Sequence, residues 1–360
     1  FRKNWPVSSS AKDGKPTRQM QRTLYFGPLI FTFGDKERDR MTSLERVLRT
    51  LEFQCPDRIP LDKGSEADVA FVGYRTADDF VPGKPGMNEW GCVWASLNPS
   101  EGDQGQVTEH PLSDWEQIQS FVFPDPFASG RMAGAQERID ALRKEMKFVC
   151  VNLGKGPMHL LDDLRGFEAY LTDLMAEPER TELLLDGVFR FLVGLTEQFA
   201  VLGVDAVFLA DDQAMQTGPL FSMDIWRELF KPRYRALCSL AHEMGCKVYM
   251  HTCGDLSQHL TELADAGVDV IDNKQPALWM DCVAVDEVRG RMSFSTCLDI
   301  QSVIQTIDLS RIPGEVSNLI RRLSVPEGGF IGTYYHQPDL HIAPEKNDRM
   351  IEAFRSFTWD

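Results

Sequence analysis

Short apolar runs alternate with helix-length amphipathic segments along most of this chain. Strands are expected at residues 148–153, 206–210, 248–250, 268–273, 292–297 and 329–335, each an apolar run bounded by turn residues. Helices with one apolar face are expected over 133–146, 160–174, 177–203, 223–245, 256–266, 283–289, 313–323 and 344–357. Earlier, Thr42 and Ser43 offer hydroxyl caps to a helix whose Leu44, Val47, Leu48 and Leu51 share a face. Cys55-Pro56-Asp57-Arg58 ends that helix, and 59–61 reads as the first strand. The repeated strand–helix order implies a parallel sheet with right-handed crossovers. No Gly-x-Gly-x-x-Gly segment occurs, so the expected fold is α/β, a closed (β/α)8 TIM barrel rather than a dinucleotide-binding sheet.

Two stretches depart from the pattern. Residues 75–130 are rich in Gly, Pro, Trp and Asn with little periodicity, and read as a long loop insertion with hairpins. Residues 1–40 carry a net charge of +5 against −21 for 41–360. They read as an N-terminal arm that packs on a single barrel domain spanning 41–360, or on a second copy in a homodimer. The apolar run 24–33 is followed by Asp35-Lys36-Glu37-Arg38 rather than by small residues, which argues against a signal peptide.

A net charge of −16 over 360 residues disfavours nucleic acid as a partner. No apolar run reaches the roughly 20 residues that a membrane span needs. Eight cysteines scattered along a long chain point to reduced thiols and a cytoplasmic enzyme. Cys150, Cys238 and Cys246 have apolar neighbours and read as core.

Polar residues collect just past the apolar runs: Asp62, Asn152, Asp211 with Asp212, His251 with Cys253, Asn273 with Gln275, Cys297 with Asp299, and His336. In a parallel barrel those ends meet at one mouth, where barrel enzymes place their chemistry. His251 and Cys253 are two apart, which puts both side chains on one side of an extended chain. Imidazole and thiolate suit zinc, and three protein ligands with one open position describe a catalytic site. The plainer reading of the pair is a core histidine beside a buried thiol.

Glu45-Arg46-Val47-Leu48 through Cys55-Pro56-Asp57-Arg58-Ile59-Pro60, the Asp211-Asp212 pair, His251-Thr252-Cys253-Gly254-Asp255, and Tyr334-Tyr335-His336 through Pro344-Glu345-Lys346-Asn347 occur in order. Together, over about residues 43–355, they resemble the uroporphyrinogen decarboxylase-like superfamily. The resemblance implies one of two chemistries. True decarboxylases of this type carry an arginine-rich glycine segment near the first strand, where this chain reads Leu61-Asp62-Lys63-Gly64-Ser65-Glu66. The motifs are closer to the zinc- and corrinoid-dependent methyltransferases and O-demethylases.

On that resemblance the expected function is methyl transfer from a small methoxylated or methylated substrate to the cobalt of a corrinoid carrier protein. No Asp-x-His-x-x-Gly segment occurs here, so the carrier is expected to be a separate chain. The expected metal ligands are His251, Cys253 and Cys297, whose strand ends converge on the mouth, with His336 as fourth ligand or acid. In thiol-methylating members the later ligand is a cysteine after the last strand, where this chain has His336; that favours an ether or amine donor. Asp211, Asp212 and Asp299 are candidates for orienting the substrate or tuning the acid. Trp90, Trp94, Asn152 and Gln275 are candidates for the pocket wall, and both tryptophans read equally well as ordinary packing aromatics. A uroporphyrinogen decarboxylase-type decarboxylase and a non-catalytic binding barrel are the alternatives.

Overall fold

The structure is a computed structural model describing residues 41–96, 105–335, 340 and 342–359. The expected arm, 1–40, lies outside the described residues, as do His336 and His341. Seven strands form one parallel sheet: β1 (Val69–Gly73), β2 (Phe148–Lys155), β3 (Ala206–Ala210), β4 (Lys247–His251), β5 (Val270–Asp272), β6 (Ser293–Thr296) and β7 (Phe330–Gly332). They pair in chain order from β1 to β7, as repeated right-handed crossovers require. The two edges come together through one residue. Leu61 bridges Gly332 of β7 in parallel, and its carbonyl accepts N–H bonds from Asp68 and Val69 at the start of β1. The sheet therefore curls into a TIM-barrel-like α/β fold. Among the described residues no helix is long and apolar enough to cross a membrane.

The helix Ser43–Leu51 closes the N-terminal end of this barrel. The Thr42 hydroxyl accepts from the Glu45 N–H, and the buried Val47 and Leu51 reach a cluster with Val69, Phe148, Cys150 and Ala206. Arg46 and Arg58 converge on the fully buried Asp68 just below β1. Arg46 Nη1 donates to Oδ1 at 2.6 Å and Arg58 Nη1 to Oδ2 at 2.8 Å. Ser43 Oγ and the Leu61 N–H donate to the same carboxylate, each at 2.9 Å, and Asp57 takes Arg46 Nε at 2.5 Å. Burial alone would raise the Asp57 pKa, but the Arg46 bond and charge hold it below its ordinary value.

Three expectations need correction. The strand at 59–61 shrinks to the single Leu61 bridge, since Pro60 has no N–H to give a ladder, and Val69–Gly73 takes its place in the sheet. The helix expected over 160–174 is two helices, Pro157–Arg165 and Phe167–Ala176, broken where Gly166 takes a φ of 88°. Within 223–245 the helical path is interrupted by a π turn at Trp226–Phe230 before Lys231–Glu243. In the insertion, Val93–Ala95 pairs antiparallel with Gln106–Glu109, and a short 3-10 helix spans Trp115–Gln119.

Candidate metal centre

The register of the sheet sets Ala210, His251 and Asp272 side by side on β3, β4 and β5. His251 Nδ1 donates to Asp272 Oδ2 at 2.7 Å, which fixes the tautomer and leaves Nε2 free. That nitrogen lies 3.5 Å from Cys253 Sγ, so the two side chains converge as their spacing predicts. Between them Thr252 turns the other way, is fully buried and accepts the Gln213 N–H at 2.9 Å.

The turn that presents Cys253 is clamped from three sides. Asn273 Nδ2 donates to the Thr252 carbonyl at 2.8 Å, and Gln275 Oε1 accepts the Gly254 N–H at 2.7 Å. The Cys253 N–H donates to Asp212 Oδ1 at 2.7 Å. Gly254 has a φ of +85°, and a Cβ there would sit 2.3 Å from the Ala214 carbonyl oxygen, so only glycine fits. Gln275, expected in the pocket wall, thus serves to hold the metal-candidate turn.

Past β3 the two aspartates divide. Asp211 turns inward and is fully buried, accepting the His159 N–H at 3.1 Å, Gln213 Nε2 at 3.0 Å and the Tyr234 hydroxyl. It caps the helix Pro157–Arg165. Gly156 makes this possible, because a Cβ there would lie 2.3 Å from Asp211 Cβ. Asp212 turns toward the mouth, where one ligand atom each from Asp212, His251 and Cys253 all lie within 4.8 Å of one another. His159 backs this carboxylate, with Nε2 3.3 Å from Asp212 Oδ2 and Nδ1 donating to the Ala210 carbonyl at 3.1 Å. His159 was absent from the sequence candidates. Its signal is a Gly156-Pro157 helix start just after a strand, which puts a first-turn histidine at the mouth.

The charges are strongly coupled. Burial raises the Asp212 pKa, but the His159 bond and the His159 and His251 charges outweigh it and lower it to about 2. Burial depresses His159, and the Asp212 bond with the Asp211 charge more than reverses this, to about 9. Burial raises the Cys253 thiol well above its ordinary value, and the Asp212 charge adds to the effect. A thiol so placed ionises only when a cation takes its sulfur. Burial opposes ionisation of Asp272, yet Lys274 and His251 hold it far below the usual carboxylate range.

The other described sequence candidates lie outside the three-ligand cluster. Cys297 is buried, and among the described residues it is outside the three-ligand cluster. Burial pushes its thiol to about 12 against the pull of Lys274. Asp299 spends both oxygens on local donors, the Ser302 N–H and hydroxyl at 2.8 Å and the Ala277 N–H at 3.3 Å. Trp90 is buried against Phe191 and Phe123, with ring centroids 5.1 Å and 6.4 Å away, as a packing aromatic. Trp94 is half-buried, its ring 4.2 Å from Lys155 Nζ at the end of β2. Asn152 is exposed, level with Phe208 of β3.

Residues 95–356 match the family model described as uroporphyrinogen decarboxylase (URO-D). A methylated-thiol–coenzyme M methyltransferase of Methanosarcina mazei is 27% identical over 280 residues, covering 76% of this chain and 71% of the relative. A solved methyltransferase from Methanosarcina mazei superposes with a TM-score of 0.66 at 15% identity, covering 87% of this chain and 98% of that one. At that identity the likeness speaks for the fold.

Proposed function

The chain belongs to the uroporphyrinogen decarboxylase (URO-D) family, and from that premise we propose that it is a methyltransferase. It moves a methyl group from a small methoxylated or methylated compound to the cobalt of a separate corrinoid carrier protein, assisted by zinc at the barrel mouth. The observation that carries this reading is the convergence of His251 Nε2, Cys253 Sγ and an Asp212 oxygen at the strand ends. Nitrogen, sulfur and carboxylate oxygen are donors that zinc takes, and three of them leave a fourth position for substrate. The likeness to a curated methyltransferase supports the same choice.

Zinc held there would polarise the heteroatom that gives up its methyl group. The chain's own residues prepare that place. Asp272 keeps the Nδ1 proton of His251 in position, so that Nε2 presents its lone pair to the mouth. Asn273 and Gln275 hold the turn that carries Cys253, and His159 fixes the orientation of Asp212. Cys297, from the sequence expectation, is replaced in this proposal by Asp212.

The test combines metal analysis with a transfer assay. Purified protein should carry one zinc per chain and consume the Co(I) absorbance of a corrinoid protein when a methoxylated aromatic, a methylamine or a methylated thiol is added. Full transfer after exhaustive chelation contradicts the zinc assignment. Decarboxylation of a tetrapyrrole acid without metal would favour the other chemistry of the family.

A further inference from the structure

Asp62 is a buried carboxylate of the mouth that nothing in the metal centre uses. It follows Leu61, the residue that closes the barrel, and is 7% exposed. Its Oδ2 accepts the Tyr249 hydroxyl at 3.2 Å and Ser295 Oγ at 3.0 Å. Tyr249 lies on β4 two residues before His251, and Ser295 lies on β6 two residues before Cys297, so both point into the barrel. Donors from two separate strands reaching one oxygen place the carboxylate inside the barrel, below the His251 level. Its Oδ1 is buried and has no hydrogen-bond partner.

A buried carboxylate oxygen without a donor is costly. The surrounding cations put no donor on that oxygen. Lys274, buried and drawn electrostatically to Asp62, is ion-paired to Asp272, and His159 is committed to Asp212. Lys63 is half-buried with its Nζ 5.8 Å from the Tyr335 ring centre. Meanwhile Phe71, on the inward-facing register of β1 and beside Phe208 at 5.4 Å, remains 38% exposed. Phe71 therefore presents exposed aromatic surface at this depth.

We infer that Asp62 is a substrate-binding residue whose free oxygen accepts a hydrogen bond from a donor on the methyl-bearing compound. The substrate head is then hydroxylated or cationic, and an anionic head is rejected by like charge. This assignment rests on the methyltransferase reading for the identity of the substrate, but its recognition chemistry is measurable without turnover.

The probes are two thiols that differ in the head alone, 2-mercaptoethylamine and 2-mercaptoethanesulfonate, titrated calorimetrically into the zinc-loaded protein. The amine should bind about tenfold more tightly or better. Asp62→Asn, which keeps acceptors for Tyr249 and Ser295, should erase most of that difference while zinc content and circular dichroism stay unchanged. Equal affinity, a preference for the sulfonate, or no binding of either thiol overturns the assignment. If the preference holds while no donor supports methyl transfer, the binding role stands and the methyltransferase reading falls.

Discussion

Asp68 and Asp62 lie six residues apart on either side of the barrel closure, both buried, and their surroundings differ completely. Asp68, at the N-terminal end, receives two arginines, a serine hydroxyl and a backbone N–H, and no lone pair of consequence is left over. Asp62, facing the mouth, leaves one oxygen unmet. The same contrast runs through the neighbours. Arg46, Arg58 and Asp57 form a closed network, while His251, Cys253 and Asp212 converge on a point that none of them fills. A fully satisfied charge network fixes structure, and an incompletely satisfied one is a place for a ligand. Barrel folds commonly divide stability and chemistry between their two ends in this way.

The contrast is broken most severely by removing a mouth ligand. Cys253→Ala should abolish stoichiometric zinc and transfer activity, measured by metal analysis and the Co(I) assay. Because Cys253 belongs to neither buried hydrophobic cluster, the thermal midpoint of the metal-free protein should hardly move. A collapse of the fold would place Cys253 with the structural residues instead.

Asp68→Ala should behave in the opposite way. It strands Arg46 and Arg58 without their partner, at a cost of about 3–5 kcal/mol in denaturant unfolding. The fraction that remains folded should still bind zinc with unchanged stoichiometry. Loss of zinc in that fraction would mean that the two ends are not independent.

Acid should separate the ends by pH. His259 is 1% exposed, lies edge-on to Trp226 with centroids 5.7 Å apart, and has no partner for Nδ1. Burial lowers its pKa to about 4. A folded pKa below the ordinary 6.5 means that its contribution is complete above 6.5 and is lost as pH falls toward 4. The loss is on the order of 2–3 kcal/mol in equilibrium unfolding. Asp57 is also depressed, from 3.8, so the arginine network begins to weaken only below that value. His259→Gln should remove the first step and leave the second.

Asp272→Asn gives the smallest effect that still sharpens the comparison. It frees His251 to rotate without touching a ligand atom, so zinc affinity should fall about 10–100-fold by competition titration. Unchanged affinity would show that the Cys253 turn alone sets the site.

Much of this was legible in the chain, for physical reasons that differ by element. The strands 206–210 and 248–250 were plain because an apolar run of strand length between turn residues has few other uses. His251 and Cys253 converge because a spacing of two keeps one face. The strand Val69–Gly73 was not legible, since it adjoins a Gly- and Pro-rich region, and the apolar residues at 59–61 give only a single bridge. The metal grouping is set by tertiary geometry that spacing does not encode. Asp211 and Asp212 are adjacent, yet one caps a helix and the other faces the mouth, according to which side of the chain meets Gly156. Cys297 has the correct residue type and strand end, but its thiol is enclosed beside Lys274.

X-ray absorption at the zinc edge of the purified protein tests the centre most directly. The account predicts one zinc per chain with a single sulfur neighbour at about 2.3 Å and nitrogen or oxygen neighbours at about 2.0–2.2 Å, and loss of the sulfur signal in Cys253→Ala but not in Cys297→Ala. Two sulfur neighbours, with one lost in Cys297→Ala, or a metal-free protein of full activity, would contradict it.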